Sequence, residues 1–179
     1  LPAIYRNRVL RAIRETKGQI LVNGRGKYLK AYYHADCGGR TELARFVWEG
    51  AKGVGTTSDA SCPQSPGARW VYTTTALDLS KAMHKAFSSK TMGLVTGVYG
   101  LSKTPSGRQN KIRVKFEKGQ VKELTGQRLR EIVGFSKIKS TAFEVYKLAG
   151  GKFRFQGKGH GHGVGLCQWG AKSLAQSGQ

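Results

Sequence analysis

The stretch Gly157-Lys158-Gly159-His160-Gly161-His162-Gly163-Val164-Gly165 sets five glycines on alternate positions with two histidines among them, and Leu166-Cys167-Gln168-Trp169-Gly170-Ala171 follows directly. A strand sends alternate side chains to opposite faces, so such a ribbon offers bare backbone on one face and Lys158, His160, His162 and Val164 on the other. Glycine weakens a strand interior, and its repetition points to the close approach of something large. A flexible glycine-rich linker is the alternative reading. Against it, an apolar pattern resumes at Leu166, Ala171, Leu174 and Ala175, and Gly178 stands where a helix would stop.

Upstream of the ribbon, residues 143–148 and 152–156 read as a hairpin across Ala149-Gly150-Gly151 that delivers the chain into it. Strands are expected at 70–74, 94–99, 111–117 and 120–124, with helices at 77–87 and 126–133. Residues 50–68 read as loop. Near the start, Ile4, Val9, Leu10 and Ile13 share one helical face over residues 3–15, with arginines on the rest, and Gly18 ends the helix. Residues 19–22 and 28–34 form a second expected hairpin, which turns Lys30, Tyr32 and His34 toward a ligand. The pattern as a whole predicts an α+β, strand-rich single domain. Residues 1–71 and 151–179 supply its core, and residues 72–150 an inserted β-rich lobe.

The 31 Lys and Arg against 10 Asp and Glu give a formal charge of +21 spread along the chain. Such a charge fixes the sign of a polymeric partner without naming it. Basic side chains interleaved with Tyr and Trp suit nucleic acid, yet no recognition motif for it accompanies them, and no nucleic-acid partner is expected. No apolar run approaches the ~20 residues that cross a bilayer, so no transmembrane segment is expected. Residue 1 is Leu and the first dozen residues do not read as a signal peptide, which points to upstream sequence having been removed.

Cys37, Cys62 and Cys167 are an odd set. Cys37 and Cys62 could close a disulfide loop, remain free thiols, or join His34 as ligands of a structural zinc ion, and no CxxC spacing decides among these.

A series of motifs in order, Tyr32-Tyr33-His34-Ala35-Asp36-Cys37-Gly38-Gly39-Arg40-Thr41-Glu42, Val47-Trp48, Ser106-Gly107-Arg108, Gly126-Gln127-Arg128-Leu129-Arg130, Lys139-Ser140-Thr141-Ala142-Phe143 and 162–171, resembles the SpoIID/LytB family over nearly the whole chain. The resemblance implies a SpoIID-type fold and an exported protein of the periplasm or cell envelope. It also implies action on peptidoglycan glycan strands, either as a lytic transglycosylase or as a non-catalytic enhancer of a cell-wall amidase. In the first case a carboxylic acid protonates the glycosidic oxygen, and the muramic C6 hydroxyl closes on C1 to leave a 1,6-anhydro end. That requires one general acid of raised pKa and no cofactor or catalytic metal. The glutamate usually given this role in the family lies near a Met-Pro segment that would precede Leu1.

Among the carboxylates present, Glu42 is the first candidate for the cleft because it follows the Gly38-Gly39 turn beside His34; a buried carboxylate that secures the loop is its other reading. His162 is the second catalytic candidate, since imidazole both donates and accepts near neutral pH. Tyr32, His34, Gly38, Gly39, Thr41, Lys139, Ser140, His160, Gly163, Gln168 and Trp169 are the candidate substrate-binding residues. His160 stands where the family more often has an aromatic residue. Trp48 offers a further flat face to a sugar ring, and Lys139, Arg130 and Arg108 offer charge to glycan carboxylates.

Overall fold

The structure is a computed structural model that describes residues 2–51, 55–60, 62, 65, 66, 68–89 and 91–178. The Ile4 side chain and parts of the expected 50–68 loop lie outside the described residues. The fold is mixed α+β, with four helices and three small sheets among those residues. None of the helices is long and apolar enough to cross a membrane. The chain divides into two compact units, residues 1–31 and 32–179.

In the first unit the expected helix forms as α1 (Ala3–Glu15), closed by Thr16, whose backbone N–H and hydroxyl both donate to the Ala12 carbonyl. The expected hairpin after it shrinks to a single bridge between Val22 and Tyr28, with Asn23 Oδ1 accepting from the amides of Arg25 and Lys27. Ile20, Leu21 and Tyr28 remain exposed. A two-stranded ribbon without an apolar surface to cover it gains too little to extend.

The second unit is built on strands that alternate as the sequence indicates. Sheet β2 (Arg69–Thr75), β7 (Lys152–Lys158) and β6 (Phe143–Leu148) is antiparallel in the order β2-β7-β6. Strands β3 (Val95–Lys103), β4 (Gln109–Phe116) and β5 (Val121–Thr125) form a second antiparallel meander. On β4, Ile112, Val114 and Phe116 point inward, and on β7, Phe153 and Phe155 do so. Helices α2 (Ala76–Ala86) and α3 (Gly126–Val133) begin at threonine caps, where Thr75 accepts from the Asp78 amide and Thr125 from the Arg128 amide. Each cap satisfies one of the amide groups that a helix start leaves open. One apolar cluster runs from Trp70, Phe143 and Phe155 through Ile112 and Val114 to Leu79, Met83 and Leu129. Residues 72–150 therefore share their core with β2 and β7, the strands through which the chain leaves and returns.

The glycine-alternating stretch departs from expectation. Strand β7 stops at Lys158, and Gly159, Gly161, Gly163 and Gly165 all adopt positive φ, between +76° and +109°. These turns are occupied by the chain itself. A Cβ on Gly161 would stand 2.9 Å from His34 Cβ, one on Gly163 would stand 2.7 Å from Arg108 Cζ, and one on Gly165 would overlap the Tyr32 carbonyl oxygen. The large neighbours that the glycines make room for are thus the segment 32–42 and, at Gly163, the Arg108 side chain. Beyond Gly165, β8 (Leu166–Cys167) pairs in parallel with β1 (Tyr33–His34), and α4 (Gln168–Gln176) follows.

Replacing Gly165 by Ala combines a left-handed φ with a backbone collision, and is expected to cost about 2–4 kcal/mol in urea unfolding. Gly178 has a similar φ of +80° but open space around it. Its Ala variant is expected to lose about 1 kcal/mol or less.

Candidate functional site

Backbone hydrogen bonds knit the ribbon to the 32–42 segment. Asp36 and His160 exchange amide-to-carbonyl bonds of 3.0 and 2.8 Å, the Glu42 amide donates to Gly163 O at 2.8 Å, and the Leu166 amide to Tyr32 O at 2.9 Å. From the other side, the Gly161 amide donates to Lys139 O at 2.8 Å and the Gly159 amide to Ala68 O at 2.7 Å. Tyr32, His34, Gly38, Gly39, Thr41, Glu42, His160, His162, Gly163 and Lys139 all lie along this junction.

At one end of it, an aromatic group forms. Tyr32 stacks on Trp48 with ring centroids 4.6 Å apart, and His162 meets Trp48 edge-on at 4.8 Å. His34 lies beyond, with its ring 5.8 Å from that of His162. A 3-10 turn (Ala44–Phe46) carries the chain from Glu42 to Trp48, which remains exposed. The Val164 amide donates to His162 Nδ1 at 3.0 Å. A neutral His162 therefore carries its proton on Nε2, which is left for its hydrogen bond to the Tyr33 backbone. Burial first, then the positive fields of His34 and Arg130, hold its pKa down to about 4, with a hydrogen bond to the Tyr33 backbone opposing. His160 is shifted the same way by burial, then by Lys139 and Arg130.

Other candidates serve the scaffold. His34 is buried, its Nδ1 donating to Val164 O at 3.1 Å, so the expected outward-facing set on this strand is not formed. The Thr41 hydroxyl accepts from the Thr57 amide at 2.8 Å. Ser140 is buried and donates to Lys158 O at 2.6 Å while accepting from the Ala142 amide, which leaves no hydroxyl free for a sugar. Glu42 is 1% exposed. Its Oε1 accepts from the Leu43 amide at 2.7 Å, and its Oε2 from the hydroxyls of Thr104 at 2.6 Å and Ser106 at 2.8 Å. The carboxylate thus ties the β3–β4 turn to the junction.

Arg108 and Arg130 are buried, contrary to a role as exposed charge. Arg108 donates to Cys37 O at 2.7 Å, and its Nε and Nη1 have no partner among the described residues. Burial pulls its pKa below the ordinary value while Glu42, Cys37 and Asp36 oppose this. Arg130 donates to the carbonyls of Ile138 and Lys139, both at 2.8 Å, and so sets the loop that the Gly161 amide meets. Burial, then Arg108, lowers its pKa to about 10.

The three cysteines are buried and none is joined in a disulfide, so the Cys37–Cys62 disulfide is not formed. Instead Cys37, Asp59, Cys62 and Cys167 bring their ligand atoms within 4.8 Å of one another, a grouping that could hold a metal ion. His34 is not part of it. Asp59 and Cys167 escaped the sequence reading because they stand on segments far apart, and only the odd number of cysteines hinted at the third. Trp169 packs against this cluster, with Lys172 Nζ 4.4 Å above its ring, while Gln168 is exposed. A separate groove of 520 Å³ lies on the β2–β7–β6 sheet between Trp70, Phe143, Tyr146 and Lys158, and reaches Ser106.

The ring proton signals of His162 are expected to titrate in NMR with a midpoint near 4 rather than near 6.5. Below its unfolded pKa the unfolded chain binds the proton that the folded chain refuses, so His162 lowers stability progressively as pH falls from about 6.5 toward about 4. His162→Gln is expected to flatten that part of the stability profile.

No curated protein matches the chain. Residues 51–165 match the family described as "Domain of unknown function (DUF8618)", a span that includes Asp59, Cys62, Arg108 and the ribbon. That match covers more than half of the sequence, and the chain belongs to this family of unassigned function.

Proposed function

We propose that the chain binds the glycan strands of peptidoglycan at the Tyr32–Trp48–His162 group and takes part in their cleavage by a lytic transglycosylase mechanism. The observation that carries this reading is the exposed Trp48 held between the rings of Tyr32 and His162. A flat indole face meets the C–H face of a pyranose ring. The ordered motifs shared with the SpoIID/LytB family supply the substrate class, together with a SpoIID-type fold and a place in the periplasm or envelope. The formal charge of +21 suits an anionic wall polymer.

On this reading Trp48 carries the face of the sugar ring, His162 fixes the edge of the indole, and Glu42 positions the loop. The general acid is a carboxyl group other than Glu42, and no cofactor enters the chemistry. Lys139, His160, Gln168 and Trp169 border the glycan. Anhydro-muramic products, read by mass spectrometry from purified glycan strands digested with a protein that includes the preceding segment, are the expected result; their absence would remove the enzymatic reading. Trp48→Ala and His162→Ala are each expected to weaken glycan binding roughly tenfold.

One observation favours a second reading. Glu42, the first candidate acid in the sequence, has both oxygens engaged and is not exposed. A glycan-binding protein that stimulates a cell-wall amidase needs no acid of its own. Increased amidase release of stem peptides, lost in Trp48→Ala and without anhydro products, would select it.

A further inference from the structure

We infer that Cys37, Cys62, Cys167 and Asp59 form a tetrahedral zinc site that clamps together three segments distant in sequence. The four ligand atoms lie within 4.8 Å of one another, with Cys62 Sγ 3.6 Å from Cys167 Sγ and Cys37 Sγ 3.3 Å from Asp59 Oδ2. Around a tetrahedral zinc with Zn–S of about 2.3 Å and Zn–O of about 2.0 Å, the corresponding edges are about 3.8 Å and about 3.5 Å. The pairs already stand near those separations. A donor set of three buried sulfurs and one half-buried carboxylate oxygen, which fills all four tetrahedral positions, has the character of a structural zinc site rather than a catalytic one.

Backbone amides are aimed at two of the three sulfurs. Cys167 Sγ accepts from the Cys37 amide at 3.3 Å and from the Gly170 amide at 3.4 Å, and Cys37 Sγ accepts from the Gly39 amide at 3.2 Å. Cys167 also caps the start of α4, where the helix field favours negative charge. Amides aimed at ligand sulfurs orient the ligands and spread their charge. Three thiolates and one carboxylate around Zn²⁺ leave a formal charge of −2, and the buried Arg108 guanidinium, bonded to the Cys37 carbonyl at 2.7 Å, is a countercharge within the same core.

Room is made for the fourth ligand. A Cβ on Gly170 would stand 2.5 Å from Asp59 Oδ2, so the bare helix start admits the carboxylate. The Asp59 loop is pinned independently, by its amide bond to Gly39 O at 3.0 Å and by the Arg40–Ser58 bridge. Metal binding displaces the three thiol protons, including the one Cys62 shares with Asp36. Asp36 then keeps its bonds from the amides of Gly38 at 2.7 Å and Ser65 at 2.8 Å.

The test is metal analysis of the whole chain with zinc, paired with intact mass under non-reducing conditions. About one zinc per chain is expected after desalting, with all three cysteines resisting alkylation until a chelator is added. Cobalt in its place should give the intense visible bands of a tetrahedral ion with sulfur-to-metal charge transfer, which Cys62→Ser and Cys167→Ser abolish. Asp59→Asn keeps the loop's shape and should retain the ion with a shifted cobalt spectrum and weaker affinity. A chain that takes up no zinc and shows three freely alkylated thiols would overturn the inference. So would a Cys62–Cys167 cystine, or zinc retained by the cysteine variants.

Discussion

The second unit depends on the docking of the glycine-alternating ribbon against residues 32–42. These segments are about as far apart in sequence as the unit allows, yet they exchange backbone hydrogen bonds at Tyr32, Asp36 and Glu42 and pair as β1 and β8. Backbone-to-backbone contact at that distance requires both chains to lack bulk at the seam, and the glycines provide this on one side. The arrangement then places His162 against Trp48 on one edge of the seam and Cys167 against Cys37 on the other.

The polar groups buried at the seam follow from the same constraint. Turns that cannot form a regular ladder leave carbonyls and amides that need other partners. Glu42 takes up the Leu43 amide and two hydroxyls of the β3–β4 turn, Asp36 takes up the amides of Gly38 and Ser65, and Arg108 takes up the Cys37 carbonyl. Burial alone would push the Asp36 carboxyl up, but those hydrogen bonds hold it below the ordinary value. Side chains of the most polar types thus behave here as scaffold, and the aromatic group is left as exposed Trp48 flanked by half-buried Tyr32 and His162.

Much of the fold was legible because it rests on local signals. The apolar periodicity of α1, α3 and β6 placed their ends correctly, and the alternation along β4 and β7 located the core faces. The ribbon misled for a physical reason: alternate glycines look like strand period two, yet the same spacing serves a succession of left-handed turns. Within the candidate site, the structure brings the singled-out segments together but buries groups expected to face outward. His34, Ser140, Arg108 and Arg130 are of types usually found at surfaces, and only the seam buries them. Asp59 carried no spacing signal, since its neighbours Cys37 and Cys167 come from either end of the unit.

The two-stranded β1–β8 pairing joins residues separated by most of the unit's length, whereas β3–β4–β5 is a meander and β6–β7 a hairpin of short range. Closing a long loop carries an entropic penalty that grows with the logarithm of its length, and short-range contacts form first. The antiparallel β2–β7 pair brings the ends of the middle region side by side, which shortens the remaining search for the outer segments. Chain entropy therefore favours an order of events in which the seam closes last.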